Sequence, residues 1–553
     1  MENDIKFQHK KKIAIIALCN IIIIVLMAVL GITDATSDDY GSQMILFSKV
    51  GMYCSWSSVF WTVPLFFLQN TIKIFAWQYL AQIVLILFSF NTILILINRK
   101  TDIVVGTVSS LFITILVYHT FIQNLNFTQT AALGAFAGVL LMFYYRVYDA
   151  LWGKMICPIL GVILFIVSIQ LRYDVLYICC GSLVLLLLYV IVIKGKILFR
   201  GILLWIMAVL ICLGLNIADG MIKDSDEQYS NYLEYDSRIV TMVDYPFAGY
   251  EDAIDFYSKL GMSENDVRMI CRKCESDPEY YSIDRLQSLV DNVSYKWSFS
   301  YFADNLVALF YRCLHLLLVN ELEYFVYIFI ILSFILLPKW KKLLPIGIGL
   351  MIGCYMLLFA VMGRLVERVI VAMVMLAILP AIISLIDTDR ILKGSSLRIL
   401  RICIIVVTLG FCPFLIKSCI INQRTSFLKE EVGEFATVIS QDKEHLYAYS
   451  KGLDQNYKAV KNLLLTSDYF PEENYFYLNM SPLAPFEKWK LDNYDISNVY
   501  NESVNSEVIR FILGDDVDIV QTYINEHYCE NATLVFETEM NGYTIYKVIN
   551  TVE

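Results

Sequence analysis

Apolar runs of about twenty residues recur along most of this chain, and they limit its fold more than any other feature. A run of that length spans the roughly 30 Å hydrocarbon core of a bilayer as a helix. Only a helix or a closed barrel satisfies the backbone there. Spans are expected at residues 13–32, 74–97, 103–122, 128–145, 154–171, 174–193, 198–217, 322–337, 343–362, 366–386 and 399–417. Composition agrees: 58% of residues are hydrophobic and 17% charged, with a mean hydropathy of +0.59. Soluble domains carry about 25% charged residues. The net charge of −10 argues against nucleic acid as a partner.

Basic connectors set the expected orientation. Lys6 to Lys12, Asn98-Arg99-Lys100, Arg146 to Lys154, Lys194 to Arg200, Lys339 to Lys342 and Asp387 to Arg401 all fall on one side. By the positive-inside rule that side is cytoplasmic, as is the N-terminus. The basic flank before the first run resembles a signal peptide, but the run is too long and no small-residue cleavage site follows it. The segment at 302–319 carries Arg312 and His315 among apolar residues, and lying along the outer interface keeps Lys339 to Lys342 inside. The fold class is therefore a polytopic α-helical membrane protein of about eleven transmembrane helices.

Four regions follow. Residues 1–217 form an N-terminal transmembrane core, 218–320 an extracytoplasmic loop with an interfacial helix, 321–419 the C-terminal transmembrane helices, and 420–553 an extracytoplasmic α/β domain. In the last region the pattern predicts a helix over Thr425–Ser440 and strands over His445–Tyr449, Glu473–Asn479 and Glu507–Leu513. A helix is expected over Val517–Tyr528, and Asn541-Gly542 marks a hairpin between Leu534–Glu539 and Tyr543–Ile549. No glycine-rich phosphate loop accompanies these elements. Most of the fourteen cysteines lie in apolar spans as small hydrophobes. Cys271-Arg-Lys-Cys274 lacks a second pair for zinc and reads as a local disulfide or two free thiols.

Candidate chemistry concentrates just past the first span, in Thr36-Ser37-Asp38-Asp39-Tyr40. Two adjacent carboxylates at a membrane surface either cap a helix or supply a base and a cation ligand. Mg²⁺ or Mn²⁺ is the cation Asp38 and Asp39 could hold; Asp34 is a weaker third acid. Charges at span ends are costly and mark function. Arg172 lies in Gln170-Leu171-Arg172-Tyr173-Asp174, and Arg364 and Arg368 share a helix face. Their planar forks suit a phosphate or diphosphate. Asn126-Phe127-Thr128-Gln129-Thr130 reads as a helix cap before it reads as a sugar contact. In the long loop, Tyr235-Asp236-Ser237-Arg238 and Asp244-Tyr245 combine charge and aromatics.

In layout, and in Ser37-Asp38-Asp39-Tyr40, Asn126 to Thr130, Leu171 to Asp174 and Tyr235-x-x-Arg238…Asp244-Tyr245, the chain resembles the GT-C superfamily of membrane glycosyltransferases. The resemblance is narrowest to Gram-positive members found where surface polysaccharides and cell walls are made. It implies a polyprenyl-phosphate sugar donor, a glycan acceptor on the outer face, and an acidic base in the first loop. It assigns catalysis to Asp38 or Asp39, and substrate contacts to Tyr40, Arg172, Asp174, Arg238, Arg364 and Arg368. A second acidic motif is not evident in the next external turn, which leaves metal dependence open. The competing readings are a polysaccharide polymerase working through residues 218–300 and a flippase for lipid-linked glycans. A flippase would want ionisable groups near mid-membrane, whereas here they collect at span ends.

Overall fold

The computed structural model describes residues 2–31, 34–35, 37–48, 52–144, 151–193, 199–294, 299–318, 321–362, 366–386, 395–428, 439, 441–450, 474–478, 481–540 and 542–550. Two parts result: a helical bundle and a small α/β domain at one of its ends.

The bundle begins with α1 (Glu2–Leu30), a two-residue strand β1 (Asp34–Ala35), α2 (Ser37–Ser48) and α3 (Val59–Thr71). Next come α4 (Trp77–Lys100), α5 (Ile103–Val117) with a π-helical extension over Tyr118–Gln123, β2 (Asn124–Leu125) and α6 (Phe127–Tyr144). Then follow α7 (Leu151–Leu171), α8 (Val175–Ile193) and α9 (Phe199–Asp224). Among the described residues nine helices are long and apolar enough to cross a membrane. They coincide with nine of the eleven expected spans. The other two, at Met155–Leu171 and Leu322–Leu336, are apolar but shorter, so the full count of eleven is not reached by length. Helix α3 was not expected; its thirteen residues are too few to stand out as a span.

All eighteen residues of α6 are buried, which makes it the central helix. Its sequence explains the position, since Ala131, Ala132, Gly134, Ala135, Ala137 and Gly138 let neighbouring backbones come close. The approach is tightest against α7. A Cβ on Gly138 would stand 2.8 Å from the Gly161 carbonyl oxygen, and one on Gly161 would stand 2.7 Å from that of Gly138.

Helix α9 runs on toward α10 (Glu227–Asp244), followed by α11 (Ile254–Lys259), α12 (Glu264–Arg272) and α13 (Ile283–Asn292). The chain rejoins the bundle through α14 (Phe299–Leu316), α15 (Glu321–Leu336), α16 (Leu343–Val361), α17 (Glu367–Ala377), α18 (Leu379–Ile386) and α19 (Ser395–Leu428). On α14, Leu306, Val307, Phe310, Tyr311 and Leu314 are exposed along one side, and its apolar part (Leu306–Leu316) is too short to cross.

The C-terminal region holds β3 (Leu446–Tyr449), β4 (Tyr475–Tyr477), α20 (Pro485–Asp492), α21 (Val499–Glu502), β5 (Ile509–Ile512), α22 (Val517–His527), β6 (Ala532–Met540) and β7 (Tyr543–Asn550). The sheet order is β4-β3-β5-β7-β6, with β3 parallel to both neighbours and β7 antiparallel to both of its own. Gly542, at φ 80°, makes the expected hairpin turn. The helix expected over Thr425–Ser440 falls largely outside the described residues; its first residues extend α19.

The two polar stretches read as separate regions share one core. Tyr235, Ile239, Ile270, Leu286 and Leu289 from the loop pack with Leu446, Phe476, Phe511, Val520 and Tyr523 from the C-terminal region. Buried polar contacts stitch the seam. Asp277 accepts from Asn498 Nδ2 at 2.9 Å and from the Tyr523 hydroxyl at 2.7 Å, and Tyr500 donates to the Cys274 carbonyl at 2.6 Å. Cys271 and Cys274 are free thiols, the second of the two readings left open for them.

Replacing Gly138 or Gly161 by alanine forces backbone atoms apart at the α6–α7 crossing. Each substitution is expected to cost about 1–3 kcal/mol. Thermal unfolding in detergent should register each as a lower midpoint, and an unchanged midpoint for both would refute the close-contact argument.

Candidate functional site

The acidic stretch opens α2, and its second carboxylate is fully buried: Asp39 is 0% exposed. Gln82 Nε2 donates to Asp39 Oδ1 at 2.6 Å, with Gln78 Nε2 at 3.5 Å from the same oxygen. The Phe127 backbone N–H donates to Asp39 Oδ2 at 3.0 Å. That N–H is the first of α6, where unpaired donors and the helix dipole favour an anion. Asn126 completes the cap by accepting from the Thr128 and Gln129 N–H groups at 2.9 and 3.2 Å. The Asn126 segment is thus a cap, the first of its two expected readings.

Further contacts hold the start of the chain to the same place. Strand β1 pairs in parallel with β2, Asp34 opposite Asn124 and Ala35 opposite Leu125. Tyr118 donates to the Gly31 carbonyl at 2.8 Å.

Phe127 is the point of convergence. The Arg172 guanidinium lies 5.1 Å from its ring centroid and that of Arg368 lies 5.8 Å away. Arg172 follows the end of α7 and Arg368 sits in the first turn of α17, so two helices distant in sequence each bring one cation to the α6 N-terminus. Arg172 pairs with Asp174 at 2.6 Å and reaches the Trp56 carbonyl at 3.5 Å. Its Nε is buried without an acceptor among the described residues. The next carbonyl, of Ser57, accepts from Lys223 Nζ at 2.9 Å, and Lys223 pairs with Asp219 at 3.0 Å. Asp219 in turn accepts the Val59 N–H at 2.6 Å.

The expected site residues divide as follows. Asp39, Arg172 and Arg368 gather around Phe127, and Asp174 joins them through its ion pair with Arg172. Arg238 pairs with Glu234 at 2.9 Å and, among the described residues, has no contact with this group; its Nε donates to Gln287 at 2.9 Å, tying α10 to α13 inside the α/β domain. Arg364 lies outside the described residues, as do the side chains of Asp38 and Tyr40. Sequence reading missed Phe127 as an organising residue and missed Gln78 and Gln82. The two glutamines are four apart near the start of a largely apolar span, the spacing and cost that mark a functional helix face.

The α/β domain meets this region through α10. Tyr229 packs edge-on against Tyr53, with centroids 5.1 Å apart. Two turns further on, burial and then the charge of Asp244 push the Asp236 carboxyl up to about 6. A second cluster in the domain joins Asp266, Glu526 and His527, whose ligand atoms lie within 4.8 Å of one another. His527 Nε2 and Asp266 Oδ1 are 2.6 Å apart, a hydrogen-bond spacing, so the cluster reads as a clasp between α12 and α22.

Comparisons with known proteins give little more. No family model matches the chain, and no curated protein matches it. Among solved structures it is similar to the crystal structure of ArnT from Cupriavidus metallidurans in the apo state, with a TM-score of 0.42 and 9% sequence identity. The similarity covers 96% of this chain and 97% of that one.

Asp236 supplies a pH test. Its proton is held in the folded state up to about pH 6, while the unfolded carboxyl releases it near 3.8, so stability falls as pH rises through that window. At pH 7 the buried charge costs up to about 3 kcal/mol. Asp236→Asn should raise the unfolding midpoint at pH 7–8 and lose the advantage below about pH 4. Melting curves across that range check it, and a variant no more stable than the parent at pH 7 would refute it.

Proposed function

We propose that this protein is a membrane glycosyltransferase that moves a sugar from a polyprenyl-phosphate carrier to a glycan acceptor on the extracytoplasmic face. One observation carries the reading: an acidic helix start and two arginines, drawn from three distant stretches, converge on Phe127 at the buried N-terminus of α6. The resemblance of Ser37 to Tyr40 and of Leu171 to Asp174 to GT-C sequences supports the same assignment.

The chemistry asks for two things. A carboxylate at the acidic pair takes the proton of an acceptor hydroxyl as its oxygen bonds to the sugar's anomeric carbon. The bond from that carbon to the phosphate oxygen breaks, and its electron pair leaves on the phosphate. Arg172 and Arg368 stabilise the charge gathering there, Arg172 with an Nε that lacks an acceptor among the described residues.

The test is transfer by the purified protein from a panel of polyprenyl-phosphate sugars, paired with the composition of the surface glycan in cells with and without it. Arg172→Ala and Arg368→Ala should each lower kcat/KM by about 10²–10³. Full transfer by both variants would remove the phosphate role. Movement of the lipid-linked sugar without its chemical change would favour a flippase instead.

A further inference from the structure

We infer that the two acids divide the work: Asp39 is a positioning residue, and the proton of the acceptor goes to Asp38. The inference rests on the glycosyl-transfer reading. Its physical basis is the surroundings of Asp39.

A general base must bring a lone pair to within about 2.6–3.2 Å of the donor it deprotonates. Asp39 is 0% exposed, and each of its oxygens already accepts an N–H, from Gln82 at 2.6 Å and from the Phe127 amide at 3.0 Å. Each oxygen keeps a second lone pair, but Asp39 has no exposed surface on which to offer it to an acceptor, and a proton placed there would weaken the hydrogen bonds it accepts from Gln82 and from the first amide of the central helix.

The glutamines are themselves fixed. Gln78 Oε1 accepts from Trp61 Nε1 at 2.9 Å, and the Gln78 N–H donates to Gln43 Oε1 at 2.9 Å. Gln43 Nε2 then donates to Gln69 Oε1 at 2.9 Å, which also accepts the Trp77 N–H at 3.3 Å. Gln43, Gln69, Gln78 and Gln82 are all at most 2% exposed. This buried amide chain runs through α2, α3 and α4 and ends on the one carboxylate that also caps α6. Its consequence is to fix the first turn of α2, in which residue 38 stands about 100° round the helix from residue 39.

Two measurements decide the matter. The first is a stability cycle in detergent on the full chain, with Asp39→Ala, Gln82→Ala and the double variant. An anchor predicts that the double variant melts no lower than the worse single one, and additive losses would overturn it. The second is transfer kinetics with a polyprenyl-phosphate sugar. Asp38→Asn should keep the parental midpoint and lose about 10²–10⁴ in kcat. Asp39→Asn, whose amide retains one acceptor, should keep kcat within about tenfold, raise KM, and leave the acid limb of the pH profile in place. The reverse pattern, with kcat lost only in Asp39→Asn, would make Asp39 the base. Absence of transfer by the parent protein would refute the glycosyltransferase reading, while the stability cycle would still decide whether Asp39 is an anchor.

Discussion

A helix buried from end to end must have partners for its first N–H groups, and that requirement at α6 organises the rest of the structure. Left alone in an apolar bundle, each unpaired donor would cost about 1–3 kcal/mol. Asn126 serves two of them from its own side chain, and Asp39 serves the first from a different part of the chain. A full negative charge there also complements the positive end of the helix dipole. The segment after α1 therefore cannot leave its place without exposing the central helix. The fold and the site share this contact.

Close packing brings the cations to the same point. Because Gly138 and Gly161 let α6 and α7 meet at backbone distance, the two helices stay in register to their ends, where Leu171 finishes α7 and Phe127 starts α6. Arg172 then lies over the Phe127 ring, and α17, which also packs on α6, adds Arg368. An aromatic face offers each guanidinium a favourable contact without neutralising it. Both guanidiniums are thereby held at the α6 N-terminus, Arg172 with Asp174 as its ion-pair partner.

Local features of the fold were legible in the sequence, and non-local ones were not. Hydropathy placed every long helix of the bundle, because lipid selects composition over runs of about twenty residues. Asn541-Gly542 gave away the final hairpin, since a tight turn leaves a local signature. The fusion of the 218–294 loop with the C-terminal region was hidden. Its core joins Leu286 and Leu289 to Phe476 and Phe511, and no periodicity reports a partner that far away. For the site, the acidic pair and both described arginines at span ends stood out through the cost of burying charge. The difference between Asp38 and Asp39 did not. Adjacent carboxylates look alike until one is found with Gln82 and the α6 amide on its oxygens.

The same logic extends to the α/β domain. Helices α9 and α10 are nearly continuous, separated only by residues 225–226, so the domain's first helix inherits its position from the bundle. Lys223, in the last turn of α9, grips the Ser57 carbonyl, while the neighbouring Trp56 carbonyl is the one Arg172 reaches. Tyr53, three residues earlier, packs on Tyr229 of α10. The strap from Tyr53 to Val59 is therefore held on one side by the domain and on the other by a phosphate-binding candidate. A domain built from two separated segments of chain can only be in place once both have met. The strap that orients Arg172 is thereby tied to completion of the whole fold.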